Sequence, residues 1–238
     1  MDFCVDRCRA RRSAGGGFAM KVLSTNTGRP QTYTFQDLTV RSSMRRESVP
    51  AGVHVHFKGV DGDEFSSPLL HGVNASAVYA YSAATFPQWT VRYEQKVGAG
   101  NFGENLTMDE LDESHFFAGD EWMVGTARLR VSGPRYPCNR LNACFQRADA
   151  MHLFAEVRRP GVYFEVVNEG FIRPGDELVL ARSSGQHWSV IQIFDLLTAR
   201  KLPPYAEDVR AAFFAIVIDT DVPELFRAQL HKALAASR

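Results

Sequence analysis

Long apolar runs are missing from this 238-residue chain. No stretch approaches the roughly 20 residues that a bilayer-spanning helix requires, and no apolar segment precedes a small-residue cleavage site. An excess of one charge is missing too. The 27 Lys and Arg residues balance 27 Asp and Glu residues, so the chain as a whole has no attraction for nucleic acid or for an anionic membrane, and any anion site has to be local. Cysteine is scarce. The four, at positions 4, 8, 138 and 144, are too few and too unevenly placed for a disulfide framework, and no CxxC pair suggests structural zinc. A reducing, cytoplasmic setting is the expectation that follows. Neither a dinucleotide glycine fingerprint nor a cysteine set for an iron–sulfur cluster is present, so any redox chemistry would need electrons from another protein. What remains is an ordinary globular composition, 45% hydrophobic and 23% charged, long enough to bury a full core.

The segment Val131-Ser-Gly-Pro-Arg-Tyr-Pro-Cys-Asn-Arg140 stands out. Pro134 and Pro137 fix φ and remove two backbone donors, which predicts a stiff loop rather than the interior of a strand or helix. The loop presents one thiol, Cys138, beside the guanidinium groups of Arg135 and Arg140. Before it, Ala127, Leu129 and Val131 alternate with Arg128 and Arg130, which predicts a strand delivering the loop from the edge of a sheet. Cys138 is either a reactive or metal-binding thiolate in this setting or a small buried hydrophobe. Cys144, between Ala143 and Phe145, reads as packing.

Residues 1–19 read as a basic, disordered tail: Arg7, Arg9, Arg11 and Arg12 precede a Gly-rich stretch without apolar periodicity. Two alternatives are an Arg-rich targeting peptide, against which Asp2 and Asp6 count, and use of Met20 as the start. From Lys21 the chain reads mainly β, with short strands over Lys21–Thr25 and Thr32–Val40 and strict alternation over Val53–Phe57. Such strands suggest a barrel or sandwich. The alternation sets His54 and His56 together on one face. They could form a metal pair, but a site needs further ligands at compatible positions, so the pair reads as an exposed polar face. Gly59, Gly62 and Gly72 permit close backbone approach, as turns or as a ligand cradle, and Asp61 and Asp63 lack the full spacing of a calcium loop. After Asn74 a helical period is expected through Ala77, Val78 and Tyr81, with Ser82 as N-cap for a helix over Ala83–Tyr93. A second Gly-rich loop, Gly98 to Asn105, carries Glu104 and Asn105.

The ordered set Gly59-Val-Asp-Gly-Asp63, His71-Gly72, Ala77-Val-Tyr-Ala-Tyr81, Phe102-Gly-Glu-Asn-Leu106, Gly119-Asp120, Pro134-Arg-Tyr-Pro-Cys138, Gly161-Val-Tyr163 and Gly175-Asp176 resembles the MOSC domain family, in its stand-alone bacterial branch that includes reductases of N-hydroxylated purines. The resemblance covers residues 20–182. It implies a mainly β, barrel-type domain with a few short helices, whose loops bind the pterin of the molybdenum cofactor, molybdopterin. It also implies Cys138 as the protein ligand to molybdenum and the catalytic residue. Cofactor-binding roles are implied for Arg135 and Arg140, the His71-Gly72 backbone, and Asn105 and Glu104, with Glu104 alternatively orienting neighbouring loops. The residue chemistry agrees, because a soft thiolate suits a sulfur-rich metal centre and arginines suit a phosphate.

Two departures stand beside these matches, one of them Phe65-Ser-Ser-Pro68 in place of the branch's Asp and Arg or Gln positions. His71-Gly-Val-Asn-Ala-Ser76 replaces the branch's His-Gly-Gly-Pro-Asp followed by Lys or Arg, so a glycine and a cation are missing from the anion-binding half of the pocket. Beyond the barrel, residues 187–238 are expected to form a three-helix module. Its stripes run through Val190, Ile193, Phe194 and Leu197, then Val209, Phe213, Ile216 and Val217, then Leu225 to Leu234. The function implied is a reductase of small N-hydroxylated substrates, fed by a separate flavin or iron–sulfur electron donor, without nucleic-acid or membrane partners. The alternatives are a carrier of the cofactor or of persulfide sulfur on Cys138, and a degenerate domain without catalysis.

Overall fold

Side-chain alternation of period two dominates the chain from Met20. In the computed structural model, which describes residues 20–64, 76–185 and 188–198, it becomes a set of thirteen strands. The first are β1 (Met20–Thr27), the hairpin β2 (Gln31–Phe35) and β3 (Leu38–Ser42), the short β4 (Glu47–Ser48), β5 (Val53–His56) and β6 (Gly59–Val60). Then come β7 (Val78–Ser82), β8 (Leu106–Met108), β9 (Glu121–Val124), β10 (Ala127–Pro134), β11 (Val162–Asn168), β12 (Gly170–Ile172) and β13 (Glu177–Arg182). The helices are α1 (Phe86–Tyr93), α2 (Arg140–Phe145), α3 (Ala150–Val157) and α4 (Val190–Thr198).

Seven strands form a closed barrel in the order β13-β9-β10-β11-β7-β8-β1. The pairs Met20↔Leu178 and Lys21↔Glu177 seal it, and β7–β8 is the parallel pair in an otherwise antiparallel ring. A smaller sheet, β12-β5-β6, and the β2–β3 hairpin lie alongside. The alternation of β10 explains its place in the ring: Ala127, Leu129 and Val131 are buried in the barrel interior, while Arg128 and Arg130 point outward and both pair with Glu121. Strand β10 is therefore an interior strand between β9 and β11, not an edge. Pro134 is its last residue, paired with Val162 beyond a register shift between Val131 and Gly133, so the missing N–H falls where the ladder is already irregular.

Strand β7 corrects a second expectation. All five of its residues are buried. Val78 and Ala80 face the barrel interior, whereas Tyr79 and Tyr81 face a second, aromatic core with Trp89, Tyr93, Phe102, Phe145 and Phe154. With both faces covered there is no polar alternation to mark a strand, and the apolar run imitates a helix. Ser82 caps nothing through its side chain. Its hydroxyl accepts from Leu111 N at 3.2 Å, and the chain passes through a 3-10 turn, Ala83–Thr85, before α1 begins at Phe86 with Pro87 in its first turn.

Helix α4 carries the first C-terminal stripe and packs on the barrel: Val190 joins the interior core, Phe194 the aromatic one, and Val190 N donates to Phe116 O at 2.8 Å. The other two stripes, like residues 1–19, lie outside the described residues. Among the described residues, no helix is long and apolar enough to cross a membrane.

Candidate functional site

The outer face of the barrel wall, where β7 and β11 meet the aromatic core, carries a pocket. It is bordered by the chain that leaves β10. Cys138 is half-buried there, just before α2, and the pocket wall is shared by Arg46, Arg135 and Arg140, the hydroxyls of Ser42, Ser43 and Ser76, and the rings of Tyr79 and Tyr163. Among the described residues, three guanidinium groups and one thiol stand in this wall, and no carboxylate does.

Arg135 is buried, and its position is fixed from several sides. One guanidinium nitrogen donates to Phe102 O, another approaches Met44 Sδ at 3.2 Å, and the planar group lies 5.5 Å from the centre of the Tyr79 ring and 5.8 Å from that of Phe154. Burial acts to lower its pKa, but Tyr79, Tyr163 and Cys138 nearby outweigh this and raise it. Among the described residues no carboxylate pairs with Arg135, so a buried positive charge faces the pocket without a protein counter-ion. Arg46 differs: its Nε and Nη2 clasp Asp63 at 2.8 and 2.5 Å, in a pair buried on both sides. Asp63 is thereby committed to Arg46, and it also accepts from Gly28 N at 2.8 Å and from Asn105 Nδ2 at 3.1 Å.

The Gly-rich loop is shaped by contact with Arg46. Gly100 has φ +79°, and a Cβ there would stand 2.0 Å from the Arg46 carbonyl oxygen, so only glycine fits. Glu104 closes this loop from beneath. Its carboxylate accepts from Gly100 N at 2.7 Å, Phe102 N at 3.1 Å and Thr107 Oγ1 at 3.0 Å. Burial pushes its pKa up to about 7, against the opposing pull of those donors. Glu104 is absent from the pocket wall, so its place is that of the loop-orienting alternative. Asn105 does reach the pocket, but its amide is engaged: Oδ1 accepts from Tyr79 N at 3.1 Å, and Nδ2 donates to Asn26 O and Asp63. It shapes the wall and has little left to offer a ligand.

The structure thus brings Cys138, Arg135, Arg140 and Asn105 to one pocket and leaves Glu104 behind it; His71 and Gly72 lie outside the described residues. Cys144, buried in α2, has its thiol pushed up to about 11 by burial, which fits a packing role. Sequence reasoning missed Arg46, the Ser42-Ser43 hydroxyls and the two tyrosines. The adjacent Arg45-Arg46 pair was the available signal, and only the fold separates them: Arg45 donates to Cys144 O at 2.6 and 2.9 Å, at the end of α2, while Arg46 faces the pocket.

The family model that matches the chain is the MOSC domain, over residues 68–179. The chain is 30% identical over 159 residues to the uncharacterized protein YflK of Bacillus subtilis (strain 168), an alignment covering 67% of this chain and 72% of that protein. It is 28% identical over 167 residues to a protein of Gibberella moniliformis named a reductase, covering 68% of this chain and 30% of that longer protein. Among solved structures, YiiM from Geobacillus stearothermophilus matches with a TM-score of 0.70 at 29% identity, over 90% of this chain and 99% of that one.

Proposed function

The chain belongs to the MOSC domain family, and on that premise we propose that it is an oxidoreductase which holds the molybdenum cofactor in the Cys138 pocket and reduces N-hydroxylated compounds. The observation that carries this reading is the make-up of the wall: a half-buried thiol among three arginines, with no carboxylate among the described residues. That donor set fits the group. A thiolate is a soft ligand for a sulfur-bound metal, and buried or pocket-facing guanidinium groups suit a phosphate-bearing anion. The relative named a reductase supports the reaction class.

When bound, the cofactor supplies two-electron removal of an oxygen atom, R–NHOH + 2 e⁻ + 2 H⁺ giving R–NH₂ + H₂O. The chain's own residues do the rest. Cys138 is presented by a segment held at Pro134 by the last β10–β11 pair and at Pro137 by a fixed φ, so its Sγ is placed before a ligand arrives. Arg135, packed against two aromatic rings and bonded to Phe102 O, presents its charge without needing to reorient. Arg46 arrives already neutralised by Asp63, so it acts as a hydrogen-bonding wall more than as a free charge. Tyr136, partly exposed, stands at the mouth where a substrate would enter. Electrons come from a separate flavin or iron–sulfur protein, since the sequence carries no motif for either group.

The test compares Cys138→Ser with the parent and with Cys144→Ser, expressed in a host that makes the cofactor. The Cys138→Ser protein is expected to fold but to lose protein-derived sulfur from the molybdenum X-ray absorption spectrum, and with it turnover of a hydroxylamine-type substrate by an artificial reductant. Cys144→Ser should cost about 1–3 kcal/mol of stability and keep both. Unchanged sulfur ligation or parental turnover in Cys138→Ser would sink the proposal; metal bound through Cys138 without any turnover in the parent would favour a carrier.

A further inference from the structure

A second cluster of ligating side chains lies outside the Cys138 pocket, on the sheet β12-β5-β6. Its register explains how it is assembled. Val55 pairs with Val60 and His56 with Gly59 across the β5–β6 hairpin, and Asp61 N donates to His54 O at 2.9 Å, so Asp61 stands opposite His54. On the other side Gly170 pairs with Val55 and Phe171 with His54, which places Glu169 opposite His56. Val53 and Val55 face the core, and the alternation therefore sends His54 and His56 to the opposite face.

The geometry on that face exceeds an ordinary polar surface. One ligand atom from each of His54, His56 and Asp61 lies within 4.8 Å of the other two. The imidazole rings are 4.4 Å apart, and His56 Nε2 is 2.7 Å from Asp61 Oδ1. A simple His56–Asp61 hydrogen bond accounts for those two residues. It does not account for His54, whose Nδ1 is buried without a hydrogen-bond partner among the described residues. On the far side of His56, Nδ1 lies 3.7 Å from Glu169 Oε1, and that carboxylate is itself held by Phe57 N at 3.2 Å. With Nε2 turned to the shared point and Nδ1 turned toward a carboxylate 3.7 Å away, a separation longer than a hydrogen bond, His56 needs a further approach of Glu169 to be held as metal-ligating histidines are.

We propose that His54, His56 and Asp61 bind a divalent transition-metal ion, with zinc as the best match, a water completing the shell and Glu169 orienting His56. Two imidazoles and one carboxylate suit zinc, whereas magnesium and calcium select oxygen-only sets. Bonds of 2.0–2.2 Å place tetrahedral ligand atoms about 3.3 Å apart, so the His56–Asp61 pair opens from 2.7 Å to admit the ion, a change that side-chain rotation achieves on a fixed ladder. None of the three residues lines the Cys138 pocket, yet the sites are coupled through the chain: Gly62 alone separates Asp61 from Asp63, which holds Arg46. Binding at Asp61 would therefore stiffen the segment that positions a pocket arginine.

The full chain, stripped with a chelator, is titrated with zinc against a chromophoric competitor and melted with zinc or magnesium. One equivalent should bind in the parent and in Cys138→Ser alike. Zinc at a hundredfold excess over its dissociation constant should raise Tm by roughly 5–10 °C, and magnesium should not. Affinity should fall about 10–100-fold in Glu169→Gln, and the equivalent should vanish in the His54→Ala/His56→Ala double variant. Asp61→Asn, which preserves shape, should weaken binding at least about tenfold even where the histidine variants misfold. Parental affinity in the double variant or in Asp61→Asn, an equal response to magnesium, or loss of the equivalent in Cys138→Ser would overturn the assignment.

Discussion

Glu104 takes the second of the two roles open to it, orienting neighbouring loops from behind the pocket wall. The sequence places it beside Asn105 in a polar, Gly-rich loop, which looks like ligand chemistry, but the side chain turns inward and ties down two backbone N–H groups. Its pKa, raised by burial from 4.5 to about 7, sets a pH dependence opposite to that of a salt-bridged acid. The native state holds this proton more tightly than the unfolded chain, so the associated stability is complete below the unfolded value and is lost as pH rises through about 7. Glu104→Gln should lower stability by about 1–3 kcal/mol, because an amide N–H would face the donors of the loop. It should also flatten the decline in stability between pH 4.5 and 7. Denaturant titrations of parent and variant across that range check both; parallel curves would show that Glu104 is not the titrating group. The loop that presents Cys138, by contrast, is legible in the sequence, because two prolines restrict a backbone in any context.

At the scale of elements, legibility followed exposure. Strands with one wet face, such as β5 and β10, display their period in the sequence. Strand β7 does not, because it has two dry faces, and the helices α2 and α3, of 6 and 8 residues, are too short for an apolar stripe to repeat along them. The partners of the pocket were the least visible part. Arg46 comes to share a pocket with Cys138 only through folding across some ninety residues, and no local pattern encodes such a meeting. The loop over Arg46 offers a sharp test. Gly100→Ala must push a methyl group into the Arg46 carbonyl at a left-handed φ and should cost roughly 2–5 kcal/mol. Gly98→Ala has no neighbour within 4 Å of its added carbon and should be nearly neutral. Thermal melts of the two variants side by side give the comparison; similar effects at both positions would mean that the loop is not pressed on Arg46.

For the whole molecule, barrel closure organises stability. Strands β10 and β11 are paired on both sides and line the interior core, whereas the β2–β3 hairpin is exposed along much of its length. Native-state hydrogen exchange should find the slowest amides in β10 and β11 and the fastest among the described strands in β2 and β3. Protection of the hairpin equal to that of β10 would contradict this order. The short strands and turns left barrel and sandwich both open and the family resemblance pointed to the barrel; the strand pattern alone does not show closure, since that depends on β1 meeting β13, the two strands farthest apart in the barrel sequence. Because these outermost strands lie side by side, the barrel takes in and releases its chain at adjacent staves, on a seam only two residue pairs long. A ring with that property is a portable cassette, entered and left on one side so that neighbouring sequence can be attached there without reopening the barrel.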